Sequence, residues 1–291
     1  MLEKKLLLQA LKIGEYMKRL SLVFISFLFV SIAFSAKVDT LNVYSTAMHK
    51  IIKCVVVIPE SYSKNNKQQF PVVYLLHGYS DTYSGWVQRA PNVKAAADEF
   101  NMIVACPDGG FSSWYFDSPI DSSYKYETFI SSEVPAYIDQ HFRTIQNRKA
   151  RAIAGLSMGG HGAFFIGIKH KETFGAISSM SGGVDFTPFP KNWDIAKRLG
   201  DYENNKSLWE NNTANKLVET LKDNDLAISF ECGIEDFFIH VNRALHQKLI
   251  SLKIKHDYTE RPGNHNWEYW NNAIWYEMLF FRNYFANGTN H

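Results

Sequence analysis

The sequence predicts an α/β protein: a doubly wound, mostly parallel sheet with helices on both faces and a small insertion near the expected site. Three observations carry this. Short β-branched apolar runs alternate with helical stretches from about residue 38 to residue 285. No linker, repeat or low-complexity segment interrupts them. A chain of 291 residues, 46% hydrophobic and 15% aromatic, can bury one large core, so residues 37–291 are expected to form a single domain.

The elements come in order along the chain. Residues 51–58 and Val72–Leu76 read as strands, with the polar cluster 63–69 as the turn between them. A helical stretch over 93–100 leads into a strand over 102–106. Residues 128–142 read as a helix that Pro135 should kink, because proline lacks the N–H and its ring crowds the preceding turn. Strand 151–154, helix 159–169 and strand Ala176–Met180 come next. Residues 182–224 break the rhythm: they are polar and hold Pro188, Pro190, Trp193 and Trp209. Two readings stand for them, a partial lid over a site or a surface excursion. Strand 227–232, helix 239–252, strand 256–261 and helix 267–285 complete the alternation.

Charge and cysteine content narrow the function. The formal net charge is +2, but residues 1–36 hold five Lys/Arg and two acids; the remainder has 26 basic and 27 acidic residues, a net of −1. That balance offers no field for nucleic acid or an anionic membrane, and neither is expected as a partner. Cys54, Cys106 and Cys232 are odd in number and show no metal-ligand spacing, so buried free thiols are expected. Near the N-terminus, Lys18-Arg19 precede an apolar run over residues 20–34 and the small-x-small triplet Ala33-Phe34-Ser35. This is the pattern of a secretory signal peptide cleaved near Ser35 or Ala36. The start could lie at Met17, and the expected location is secreted or periplasmic, with no lasting membrane association. The run is short for a bilayer span, which takes about 20 residues.

The chemistry begins at Gly155-Leu156-Ser157-Met158-Gly159. A G-x-S-x-G pentapeptide alone is weak, but here a strand precedes it and Gly160-His161-Gly162-Ala163 opens a helix after it. That strand–turn–helix setting is what a nucleophile elbow requires. A serine hydroxyl needs a base to take its proton. The oxyanion it generates needs donors. The N–H of Met158 is one expected donor; the other is the N–H of Tyr79, where Gly78 lets the loop after Val72–Leu76 bend inward. His77 is expected to be a packed, hydrogen-bonded structural residue. Among histidines beyond Ser157, only His265 sits in a tight loop after a strand, in Pro262-Gly263-Asn264-His265. For the acid, Glu235 and Asp236 both follow strand 227–232, and the residues alone barely separate them.

With Leu76-His77-Gly78, Pro107-Asp108-Gly109-Gly110, the run from Ala154 to Ala163, Cys232-Gly233-Ile234-Glu235-Asp236-Phe237 and Gly263-Asn264-His265-Asn266-Trp267, the chain resembles the esterase D-like α/β-hydrolases. That group includes carbohydrate esterase family one, with its feruloyl and acetyl-xylan esterases, the S-formylglutathione hydrolases and the mycolyltransferases. The resemblance runs from about Thr40 to the C-terminus. It implies a triad of Ser157, His265 and Asp236, and an oxyanion hole from Tyr79 and Met158; Glu235 is then a solvated loop residue. Asn264 departs from the glycine frequent at that position.

The resemblance and the export signal together imply a carboxylic-ester hydrolase acting on a small acyl ester or acylated polysaccharide. A thioesterase similar to S-formylglutathione hydrolase and a non-catalytic carbohydrate-binding protein are the competing readings. Aromatics crowd the loops expected near the site; stacking on substrate and ordinary packing are both open for them, and Trp86 and Trp114, in small polar segments, are the better candidates for substrate contact. No metal or nucleotide motif occurs, so no cofactor is expected.

Overall fold

The computed structural model describes residues 36–288 and six scattered positions before residue 18. The signal-peptide reading falls almost wholly outside the described residues. The chain divides into Met1–Phe34 and Ser35–His291, and the second unit holds the sheet and every candidate site residue.

One eight-stranded sheet organises it, in the order β1-β2-β4-β3-β5-β6-β7-β8. Strands β1 (Lys37–Ser45) and β2 (Lys50–Ile58) form an antiparallel hairpin, and β2 also runs antiparallel to β4 (Ile103–Pro107). From there β3 (Val72–Leu76), β5 (Arg151–Leu156), β6 (Ala176–Met180), β7 (Ala227–Gly233) and β8 (Asp257–Arg261) are all parallel. The central strands are buried on both faces, which is why they read as continuous apolar runs rather than alternating ones. In β3, Val72, Tyr74 and Leu76 enter one core while Val73 and Leu75 enter the other.

Helices α1 (Gly85–Arg89), α2 (Asn92–Glu99), α3 (Val134–His141), α4 (Met158–Lys169), α6 (Ile239–Ser251) and α7 (Trp267–Gly288) accompany the sheet, and α5 (Tyr202–Asn211) lies in the insertion. Helix α7 lays Ile274, Met278 and Phe281 on one core, and α4 sends Phe164 and Phe165 into the other.

Strand β1 has no counterpart among the strands expected from sequence. It is an edge strand with one face largely in solvent, so Lys37–Ser45 carries no apolar run to announce it. The helical run through Pro135 contains a π-turn at Phe129–Glu133, directly ahead of α3, and Pro135 falls in the first turn of α3. The π-turn widens the helix where Pro135 cannot donate an i→i−4 bond. The cysteines are all buried and free.

Candidate active site

The turn from β5 into α4 is tight enough to exclude side chains two residues to either side of the serine. Ser157 has φ 55° and ψ −118°, a region that L-residues avoid. Such strain persists only where the surroundings over-determine it. A Cβ on Gly159 would lie 2.5 Å from the Leu76 carbonyl oxygen, and one on Gly155 would overlap the Gly159 backbone. The turn is locked from outside by two bonds: Ser157 N–H donates to the Met180 carbonyl at 3.0 Å, and Gly183 N–H to the Ser157 carbonyl at 3.1 Å.

Two loops at the same sheet edge meet this hydroxyl. After β8, Pro262-Gly263-Asn264 carries His265, whose Nε2 stands 2.9 Å from Ser157 Oγ. After β7, Asp236 is only 2% exposed. One of its oxygens lies 2.8 Å from His265 Nδ1, and the other accepts the Phe238 N–H at 2.8 Å. The carboxylate therefore calls for a proton on Nδ1, which leaves Nε2 as the acceptor facing the serine. Phe237, Phe238 and Trp270 pack around the imidazole.

Adjacent Glu235 has a different place. It is exposed and accepts the Gly263 N–H at 2.5 Å. No sequence signal announces this bond, which corrects the expectation of a merely solvated side chain.

The loop after β3 closes the other side. Met158, as the first residue of α4, has an N–H with no intrahelical partner. Neither this N–H nor that of Tyr79 donates to a protein acceptor among the described residues. The loop is held by His77, which is 1% exposed. Its Nε2 accepts the Gly109 N–H at 2.7 Å, its Nδ1–H donates to the Gly78 carbonyl at 2.8 Å, and its own carbonyl accepts the Tyr115 hydroxyl at 2.9 Å.

Ser157 and His265 lie on the floor of an open pocket of about 380 Å³. Tyr79, Trp193, Phe237, Trp267 and Trp270 line it with aromatic rings, and Asp81 and Arg89 add charged groups. The Arg89 guanidinium is laid 4.3 Å over the Trp267 ring and pairs with Asp81. Trp193 arrives from the insertion on two successive left-handed residues, with φ 51° and 58° at Trp193 and Asp194. Burial, and then Asp194 beside it, push the Tyr79 phenol upward. The insertion therefore reaches the site through Trp193, while its other tryptophan, Trp209, is fully buried in the core.

Trp86 and Trp114 do not contact the pocket. They are 0% and 1% exposed. Trp86 donates its indole N–H to the Leu76 carbonyl at 3.0 Å and meets Trp267 edge-on at 5.2 Å. Trp114 donates to the Trp193 carbonyl at 3.1 Å. Each supports a pocket aromatic from behind, and the tryptophans that line the pocket are instead Trp193, Trp267 and Trp270. A small polar segment gives a tryptophan room to turn inward as easily as outward, and burial of the indole decides for inward.

Behind the two loops lies a buried acidic pair. Glu231 of β7 pairs with Arg261 at the end of β8, and Glu277 of α7 sits close by, fully buried. Burial first, and then the Glu231 charge, push the Glu277 carboxyl up to about 8.

Comparison with known proteins identifies the family. The Esterase family model matches residues 45–281. An acetyl esterase of Caldicellulosiruptor saccharolyticus is 28% identical over 252 residues, covering 80% of this chain and 94% of the relative. A diacylglycerol acyltransferase/mycolyltransferase of Mycobacterium leprae is 28% identical over 278 residues, covering 81% of this chain and 80% of its own. A solved ferulic acid esterase superposes with a TM-score of 0.75 at 32% identity, over 87% of this chain and 99% of that one. An S-formylglutathione hydrolase from Agrobacterium tumefaciens has a TM-score of 0.76 at 21% identity, covering 88% and 98%, and shares the fold. A strained serine at the sheet edge, an imidazole within hydrogen-bonding reach and a family match across most of the chain lead to one conclusion: the chain belongs to the Esterase family and is an esterase of α/β-hydrolase fold.

Proposed function

We propose that this esterase cleaves acetyl, feruloyl or other small acyl esters of plant polysaccharide, with Ser157 as nucleophile, His265 as base and Asp236 as its orienting acid. The reading rests on one observation above the others: the unbroken succession from Ser157 Oγ to His265 Nε2, and from His265 Nδ1 to Asp236, at 2.9 and 2.8 Å on the pocket floor. Oγ attacks the ester carbonyl carbon while its proton passes to Nε2. Charge developing on the carbonyl oxygen falls to the N–H groups of Tyr79 and Met158. The C–O bond breaks, Nε2–H protonates the departing alcohol, and an acyl-serine remains. Water then attacks the acyl carbon, again giving its proton to Nε2. Collapse of the second tetrahedral species returns that proton to Oγ and frees the acid.

The printed names of two relatives, an acetyl esterase and a ferulic acid esterase, support the acyl range, and the aromatic walls suit a planar acyl group. The Lys18-Arg19 signal pattern supports export before action on polysaccharide. Ser157→Ala is the direct test: turnover of 4-nitrophenyl acetate should fall by about 10⁴-fold or more with the fold intact. A panel of acetyl-xylan, methyl ferulate and S-formylglutathione then assigns the acyl class. A preference for the thioester would replace the polysaccharide reading.

A further inference from the structure

We propose that Glu235 is a positioning residue for His265, acting through Gly263; the proposal rests on the triad reading above. Strands β7 and β8 end side by side at the Gly233–Arg261 pair. Beyond it, Ile234 N–H donates to the Arg261 carbonyl at 2.9 Å. The next contact is two-pointed. Glu235 N–H donates to the Gly263 carbonyl at 3.1 Å, and the Glu235 carboxylate accepts the Gly263 N–H at 2.5 Å. One residue thus closes both polar groups of Gly263 just beyond the end of the sheet.

Gly263 is where such a clamp is needed. Its φ is 149°, and a glycine has the widest freedom to leave any one conformation. His265 follows two residues later, and Asp236 directly follows Glu235. The far end of the base loop is already fixed, because Asn266 accepts the Tyr269 N–H at 3.0 Å at the start of α7. Gly263 is the near end. Glu235 supplies the side-chain hydrogen bond there, and among the described residues no other side chain bonds its N–H.

The effect is confined to geometry. Glu235 does not line the pocket, so its removal takes no contact from substrate. Loosening the loop lets the imidazole drift from both Ser157 and Asp236, and a displacement of about 1 Å from productive geometry can lower rate by about 10²-fold. The carboxylate acts as an acceptor, and a glutamine oxygen can fill that role without charge.

The experiment uses the whole chain and compares Glu235→Ala, Glu235→Gln and Ser157→Ala on 4-nitrophenyl acetate, with melting temperatures measured alongside. Glu235→Ala should lower kcat by about 10- to 100-fold with KM within about twofold of wild type. Glu235→Gln should restore kcat to within about threefold of wild type. Three results overturn the proposal: an alanine variant with wild-type kcat, a loss carried by KM, or a glutamine variant as impaired as alanine. Ser157→Ala separates the two levels. If it still turns over ester, the triad reading itself fails; if it is inactive while Glu235→Ala is fully active, only the positioning role is lost.

Discussion

Replacing Asp236 by asparagine changes no side-chain volume to speak of, yet it should remove most of the activity. Asp236 is buried and uses both oxygens, one on the Phe238 N–H and one on His265 Nδ1, each at 2.8 Å. An asparagine has one oxygen and one NH₂ for these two places. With the NH₂ toward Phe238, two donors would face each other out of solvent, which costs about 1–3 kcal/mol. That is a factor of about 5 to 150 against this orientation. The oxygen therefore stays on Phe238, and the NH₂ faces Nδ1. His265 must then accept at Nδ1 and carry its proton on Nε2, where it points at Ser157 and cannot receive the hydroxyl proton. The expected loss in kcat is about 10³- to 10⁴-fold, the scale such a tautomer reversal produces. The assay is steady-state hydrolysis of 4-nitrophenyl acetate, with the Ser157→Ala rate subtracted and the melting temperature recorded. An Asp236→Asn protein keeping more than about a tenth of wild-type kcat would refute the reasoning.

Two further outcomes test the walls and the interior. Trp193→Ala should reduce kcat/KM for methyl ferulate about 2- to 10-fold more than for an acetyl ester, since an aromatic pair contributes about 0.5–1.5 kcal/mol. Trp86→Phe should leave that ratio unchanged and lower only the melting temperature, because Trp86 is buried behind Trp267; a changed ratio would return Trp86 to the substrate side. Glu277 predicts a stability trend with pH. Its carboxyl is held at about 8 in the fold, above its unfolded value, so the native state binds the extra proton between about pH 4.5 and 8. Stability from this group is therefore present at low pH and declines as pH rises through that window. Glu277→Gln should gain melting temperature over wild type at pH 8.5 and little at pH 5; a gain independent of pH would contradict the assignment.

Much of the site is legible in the sequence because its signals are local. The elbow needs small residues flanking a serine between a strand and a helix, and all of that lies within Arg151–Leu156 and the nine residues after it. His265 is legible through topology: a parallel sheet places the loops after its strands along one edge, so a histidine just beyond β8 can reach a serine just beyond β5. Neighbouring carboxylates are another matter. Glu235 and Asp236 differ by one position on one loop, and only the way β7 ends against β8 buries Asp236 beside the imidazole and turns Glu235 outward to Gly263.

The order of residues by itself determined the strands that are apolar on both faces, the helices between them, the strained serine and the sheet edge where Ser157 and His265 meet. Tertiary packing alone decided which tryptophans line the pocket. Trp86 and Trp193 both sit in segments rich in small or polar residues, but one indole is buried under Trp267 and the other is carried into the pocket by two left-handed residues. The physical reason is range: periodicity and turn chemistry act between near neighbours, whereas the direction of a loop side chain depends on what the rest of the chain has packed beneath it.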